Sequence, residues 1–275
     1  MNSYFDLNRW LLYTGKHWNE NKRRYLLSLG AVGGLMILFY SFLMIVNADS
    51  PFSKDIQVII YYVGLYLTGS LYASLLFNDL SDGPKAIQYL LLPASIFEKL
   101  LTALLFGVIL YFISYTIIFY AVDLPLVKLS NSIIQTVAER EHRARYPVQE
   151  IANVFISWKD GENVFFYFLL GYFAVQSIFM LGSVYFVRFQ FIKTLVAGLV
   201  VFLVLVFFVH KVLGSIMPPG GFFQPFTAYR VYTEKGSLSI KLPEGFSSIL
   251  IFLIKYSLAP CFWIVTYFRL KEKEV

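Results

Sequence analysis

Six long apolar runs alternate with polar stretches along the chain, at residues 27–46, 56–77, 100–122, 164–187, 194–213 and 247–268. A helix rises about 1.5 Å per residue, so roughly 20 apolar residues cross a hydrocarbon core of about 30 Å. The pattern therefore predicts six transmembrane helices, an all-α polytopic membrane protein that forms a single domain over residues 1–275. Ahead of the first run, Phe5, Trp10 or Leu11, Tyr13 or Thr14, and Trp18 recur at helical spacing with Arg9, Lys16 and His17 among them. That mixture predicts an amphipathic elbow helix over about 4–19, lying in the headgroup plane with its cations against anionic lipid.

The segment 78–99 between the second and third runs is the most informative of the polar stretches. Ser81–Pro84 has the composition of a turn, with Pro84 suited to open a helix. A short helix over 84–91 would present Ile87, Leu90 and Leu91 to one side, and Pro93 would end it. In the connection 123–163, a helix is expected from about Ser130 to Arg145, bracketed by Pro125 and Pro147, with Ile133, Ile134, Val137 and Ala138 along one face. Its charge run, Glu139 to Arg145, reads as a solvated face. In the connection 214–246, Met217–Phe226 is too apolar for a plain loop and too rich in Pro and Gly for a helix. It is expected to dip into the outer leaflet, where protein or water must satisfy its backbone.

Composition agrees with a membrane protein: 58% of residues are hydrophobic and 15% charged, against about 25% charged in a soluble domain. A soluble enzyme is excluded. No connection exceeds the 41 residues of 123–163, so none has room for a nucleotide-binding or catalytic domain. The net charge of +6 reads as topology rather than as nucleic-acid binding, because Lys and Arg gather on the cytoplasmic ends of spans. With the amino terminus inside, the inner segments carry 12 Lys or Arg in 61 residues and the outer ones 9 in 83. Both termini are therefore expected in the cytoplasm, with Lys22, Arg23 and Arg24 as the strongest element. The first run follows a 25-residue mixed segment without a small-residue cleavage pattern, as in a retained signal anchor.

Candidate chemistry is sparse. A single cysteine, Cys261, excludes an intramolecular disulfide and a cysteine-based metal site, and His17, His142 and His210 are too scattered for a metal motif. No Walker A run, metalloprotease motif or nucleophile elbow occurs, so no catalytic residue, metal or cofactor is expected. Lys255 stands eight residues into the sixth run, at a depth where an ammonium must pair, snorkel or face water. It is the candidate cavity residue, and Pro260 is placed to kink the same helix. There is no internal repeat of the kind that marks inverted-repeat carriers.

The elbow, the six spans, the helix between spans two and three and the semi-buried connection between spans five and six resemble the permease subunits of type-2 ATP-binding cassette exporters. Gly83, then Leu91-Leu92-Pro93-Ala94-Ser95, then Glu98-Lys99-Leu100 is similar to that family's run before the third span. The connection 123–163 is longer than the family's, and Ile96 stands where a basic residue is often found. The resemblance implies a complex of two permeases and two ATPase subunits in a bacterial inner membrane. ATP would be bound by the partner ATP-binding subunit, and the second permease would be another copy or a homologue. It also implies that the 78–91 segment is a coupling helix, with Asp79, Asp82, Lys85, Ile87 and Tyr89 as the ATPase contact. Movement of an amphipathic substrate is the expected function. The alternative is an accessory membrane subunit without a translocation path of its own.

Overall fold

The structure is a computed structural model that describes residues 4–46, 52–140, 148–156, 164–216, 221–224, 228–233, 236–241 and 243–274. Six helices are long and apolar enough to cross a membrane. Helix α1 runs from Leu7 to Val46 and α2 from Lys54 to Ser74. A 3-10 turn at Asn78–Ser81 and the short α3, Gly83–Leu90, connect them to the third span. That span is built of α4 (Ile96–Leu104), a π-helical turn (Leu105–Leu110) and α5 (Tyr111–Arg140). Helices α6 (Val164–Tyr185), α7 (Gln190–Ile216) and α8 (Glu244–Glu274) complete the bundle.

The neighbours of each helix fix its direction. Arg9 meets Glu98, Gly33 faces Ile118 and Tyr40 meets Asp123, so α1 runs parallel to the third span from Glu98 to Asp123. Tyr61 meets Thr116 while Tyr72 stacks on Tyr111, so α2 runs antiparallel to them. Tyr62 stacks on Phe168 and Gly69 faces Gln176, which makes α6 parallel to α2. These directions alternate as they must in a chain that crosses repeatedly. They gather the start of α1, the end of α2, α3, the start of α4 and the turn between α6 and α7 at one end of the bundle. We call this the basic end, after Lys22–Arg24, Arg188, Lys193 and Arg269.

Tyrosines dominate the larger apolar core, where Tyr40, Tyr61, Tyr62, Tyr111, Tyr115 and Tyr172 are buried with Phe52, Phe119 and Leu65. A phenol fills space like a hydrocarbon but needs a partner for its hydroxyl when it is buried. Three of these hydroxyls donate to backbone carbonyls, Tyr115 to Tyr61, Tyr62 to Val154 and Tyr172 to Val108 in the π turn, and the half-buried Tyr66 donates to Phe168 in the same way. Each such bond pins a helix at a fixed height against another helix or, at Val154, against the segment 148–156. The smaller core, at the basic end, joins Phe77, Leu80, Ile96, Leu100, Met180, Val184 and Leu270.

Several elements differ from the sequence reading. No break separates the expected elbow at 4–19 from the first span, because residues 19–27 contain neither Gly nor Pro and the helix passes straight through them. Residues 123–140, read as the start of a loop, continue the third span through Pro125. At about 1.5 Å per residue, α4 to α5 is roughly 67 Å long, more than twice a hydrocarbon core. Pro125 forfeits one backbone donor but not the helix, and Asp123, placed outside the membrane by its charge, is fully buried as an acceptor for Tyr40. The expected helix at 130–145 is thus the tail of α5, and its last five residues lie outside the described residues.

The connection 214–246 holds a three-stranded antiparallel sheet, β1 (Gly221–Gln224), β2 (Ala228–Thr233) and β3 (Gly236–Lys241), in sequential order. In its register Tyr229 pairs with Ile240 and Val231 with Leu238. Leu238 and Ile240 alternate with Ser237, Ser239 and Lys241, the period of a strand. This strand pattern replaces the irregular dip expected there, of which Met217–Gly220 and Pro225–Phe226 lie outside the described residues.

Helix α7 is anchored only near its start. Phe191 stacks on Phe179, and the buried Thr194 packs where Gly182 of α6 has no side chain. From Leu195 to Val209 its large side chains are all exposed. A Cβ at Gly182 would fall on the Thr194 side chain, whereas Gly198 faces open space. Gly182→Leu is expected to lower stability by about 2–3 kcal/mol through overpacking, read as a fall in Tm in detergent. Gly198→Leu should leave Tm unchanged.

Candidate functional site

The residues that connect α2 to α4 form a clamped helix at the basic end. Gly83 and Pro84 open α3, since Pro is accommodated in the first turn. After Leu90 the chain turns through Leu91–Ala94, and Ser95 starts α4. Ser95 Oγ accepts from the Glu98 amide at 3.2 Å while Glu98 Oε2 accepts from the Ser95 amide at 2.9 Å. This reciprocal pair is a capping box. It gives a physical reason for Ser95 and Glu98 standing three apart.

Glu98 does more than cap. Its side chain is fully buried and receives Arg9 of α1 through Nε at 2.8 Å and Nη2 at 2.7 Å, a two-pronged ion pair. The Asp6 amide donates to it as well, at 2.9 Å. Next along α4, Thr102 accepts from Trp10 Nε1 at 3.0 Å, and Ser95 Oγ donates to the Tyr4 carbonyl. The amino-terminal part of α1 is thereby fastened along α4.

Lys99 performs the matching task for α3. It is 2% exposed, and its Nζ donates to the Leu90 carbonyl at 3.0 Å and lies 5.6 Å from the Tyr89 ring centre. The last carbonyls of a helix have no partner within it, and a cation there is also favoured by the helix dipole. Lys99 therefore ties the end of α3 to the start of the third span, while Glu98, one residue earlier, ties the same turn to α1. Gln190 at the start of α7 reaches Ser81 at 2.7 Å, and Leu270 of α8 packs under Leu80 and Phe77 in the smaller core. The connection between α2 and α4 is thus in contact with α1, the third span, α7 and α8.

The five residues expected to contact an ATPase divide into two sets. Asp82 and Lys85 form an exposed pair at 3.1 Å, and Ile87 is 62% exposed. Leu91, not among the five but expected on the same side as Ile87, is 78% exposed one turn after it, whereas Leu90, expected there too, is half-buried. Asp79 and Tyr89 instead are half-buried and, together with the exposed Lys85, line a cleft of about 190 Å³ against Lys16 and Glu20 of α1. Tyr89 also packs edge-on to Phe77. The outer face of α3 is therefore Asp82, Lys85, Ile87 and Leu91, a charged pair beside two apolar side chains. Lys255 is half-buried elsewhere, with its Nζ 4.4 Å from the ring centre of Tyr167 in α6. A cation over an aromatic face is the contact that Lys255 makes.

Comparison with protein families, with curated proteins and with solved structures finds no match. Among the described residues no group of His, Cys, Asp or Glu is arranged to hold a metal ion.

Proposed function

We propose that this chain is the transmembrane permease subunit of an ATP-binding cassette exporter. In this reading both termini and the basic end lie in the cytoplasm of a bacterial inner membrane, and residues 4–19 border the inner headgroup layer. The single observation that supports the reading is α3. It is a short helix at the basic end, held from behind by Lys99 and the smaller core, with Asp82, Lys85, Ile87 and Leu91 exposed on its outer side.

A soluble partner that grips that face would move a rigid lever. When ATP closes a pair of partner ATPase subunits, their differential affinity for the closed state is the energy available to shift the spans. Lys99 and Glu98 would convey that shift to the third span and α1. The exposed flank of α7 suits a second permease copy, a homologous permease or lipid. An amphipathic substrate would be the cargo.

Purification of the complex from its native membrane tests this. An ATP-binding subunit is expected near one to one with the permease. The Asp82→Lys/Ile87→Asp variant should cut that association at least tenfold without lowering Tm, because neither side chain is part of a core. Unchanged association in this variant would sink the assignment. Recovery with non-ATPase partners would favour an accessory subunit.

A further inference from the structure

A second feature at the basic end lies between α1, α2 and the third span and extends beyond transport coupling. Trp18, Tyr25 and Phe106 form a ring cluster in which each lies 5.6 to 6.2 Å from the other two, and Tyr72 stacks on Tyr111 at 4.7 Å. The π turn contributes to this arrangement. By adding a residue to one turn it brings Phe106 and Tyr111, five apart, onto the same face of the third span. These rings line a slot of about 170 Å³, with Ser28 and Ser114 among its other lining residues.

The slot shares Tyr25, Ser28 and Tyr72 with a smaller polar pocket of about 70 Å³, lined also by His17, Asn21, Arg24 and Asp79. On the α2 side the polar pocket reaches Leu75, Leu76 and Asp79 at the basic end, while the slot starts at Tyr72 and continues along Phe106–Ser114 of the third span, the order of headgroup and chain in a lipid leaflet. The pocket offers both signs of charge. Arg24 is exposed and Asp79 half-buried, and neither is in a salt bridge among the described residues.

We propose that this groove between α1, α2 and the third span holds one glycerophospholipid with an aminoethyl phosphate headgroup. The phosphate sits against Arg24 and Asn21, the primary ammonium against Asp79, and the start of one acyl chain in the slot, against the rings of Trp18, Tyr25, Phe106 and Tyr111. An anionic glycerol headgroup would meet Asp79 with like charge. A trimethylated ammonium has no N–H to donate to that carboxylate, so the headgroup with a primary amine fits both ends of the pocket.

The purified chain alone is sufficient for the test, so the result is separate from that of the ATPase association. The protein is reconstituted in vesicles containing equal parts of phosphatidylethanolamine, phosphatidylglycerol and phosphatidylcholine. Each lipid in turn carries a photoactivatable group on one chain, and crosslinks are mapped by peptide. Crosslinks from phosphatidylethanolamine to the Trp18–Leu29 and Phe106–Ser114 peptides are expected to exceed those from either other lipid at least fivefold. Asp79→Asn should remove that preference, Arg24→Ala should reduce all capture, and Ser28→Trp should fill the slot and abolish it. Ser114→Leu blocks the slot from the other wall and serves if Ser28→Trp does not fold. Equal labelling by all three lipids, stronger labelling by phosphatidylglycerol, or capture that survives both blocking variants would each overturn the proposal.

Discussion

Gln57→Leu is expected to destabilise the protein by about 3 kcal/mol and to free the segment 148–156 at the end of the bundle opposite the basic end. Gln57 is fully buried. Its Nε2 donates to the carbonyls of Phe52 and Glu150, each at 3.2 Å, and its Oε1 accepts from the Ala152 amide at 2.8 Å. The segment has no regular hydrogen bonding of its own, and Ala152 and Val154 are 2% exposed. Its backbone is satisfied by side chains instead: Tyr62 donates to Val154 O, Tyr120 both donates to Ala152 O and accepts from Val154 N, and Asn131 pairs with Gln149. Leucine keeps the bulk but leaves the Ala152 amide and two carbonyls without their partner. An unsatisfied buried group costs about 1–3 kcal/mol, so the three together justify the figure.

The direct measurement is hydrogen exchange at Ala152, where 3 kcal/mol is about a hundredfold in protection. Unchanged exchange would show that Gln57 does not hold the segment. Lys54 and Glu150, 2.6 Å apart nearby, provide the contrast. Lys54 holds the Glu150 carboxyl below its ordinary value, so whatever that pair contributes is present at neutral pH and disappears as pH falls through the lowered value. Both side chains are well exposed, and a water-screened pair contributes little. Lys54→Ala should leave the exchange of Ala152 nearly unchanged.

Six spans are legible in the sequence because bilayer thickness imposes a length on each apolar run, and the helix at 84–91 is legible because Pro84 and Pro93 bracket it. The capping box at Ser95 and Glu98 is equally readable, since its spacing is local. Its second role is not: Arg9 lies 89 positions away, and nothing in either local pattern states that they meet. The same applies to Gln57, an unremarkable polar residue near the start of a run, whose partners include a backbone amide 95 residues later. Asp123 and Pro125 mislead for a different reason. A charge followed by a proline marks the end of a membrane helix on average, but Tyr40 supplies a hydrogen bond to the carboxylate and α5 continues. The family resemblance gives Tyr89 as an ATPase contact, whereas its half-buried ring serves as the platform for Lys99.

Breaking the Arg9–Glu98 pair is expected to have the other large effect, and a double-mutant cycle isolates it. Arg9→Ala leaves a fully buried carboxylate with only backbone donors. Removing one partner of a buried pair costs about 3–5 kcal/mol, and because the Arg9 side chain is 36% exposed the lower bound, about 3 kcal/mol, is the expected loss. Glu98→Gln keeps one acceptor oxygen, enough for the Ser95 or the Asp6 amide but not both, and removes the charge, for an expected cost of about 2 kcal/mol. With Glu98→Gln already in place, Arg9→Ala should then cost only about 1 kcal/mol, a coupling of about 2 kcal/mol between contacting residues. Arg9→Lys tests geometry separately from charge, because one ammonium cannot reproduce the two-pronged contact of Nε and Nη2, and an intermediate loss is expected. Denaturation in detergent gives all four corners of the cycle, and additive effects would rule out a direct energetic link. Neither substitution touches Lys99, so α3 retains its clamp and its exposed face. If the chain is an exporter permease, Arg9→Ala should therefore keep its ATPase partner while transport falls, the reverse of what is expected for Asp82→Lys/Ile87→Asp. That dissociation would separate the residues that bind the motor from those that carry its movement into α1.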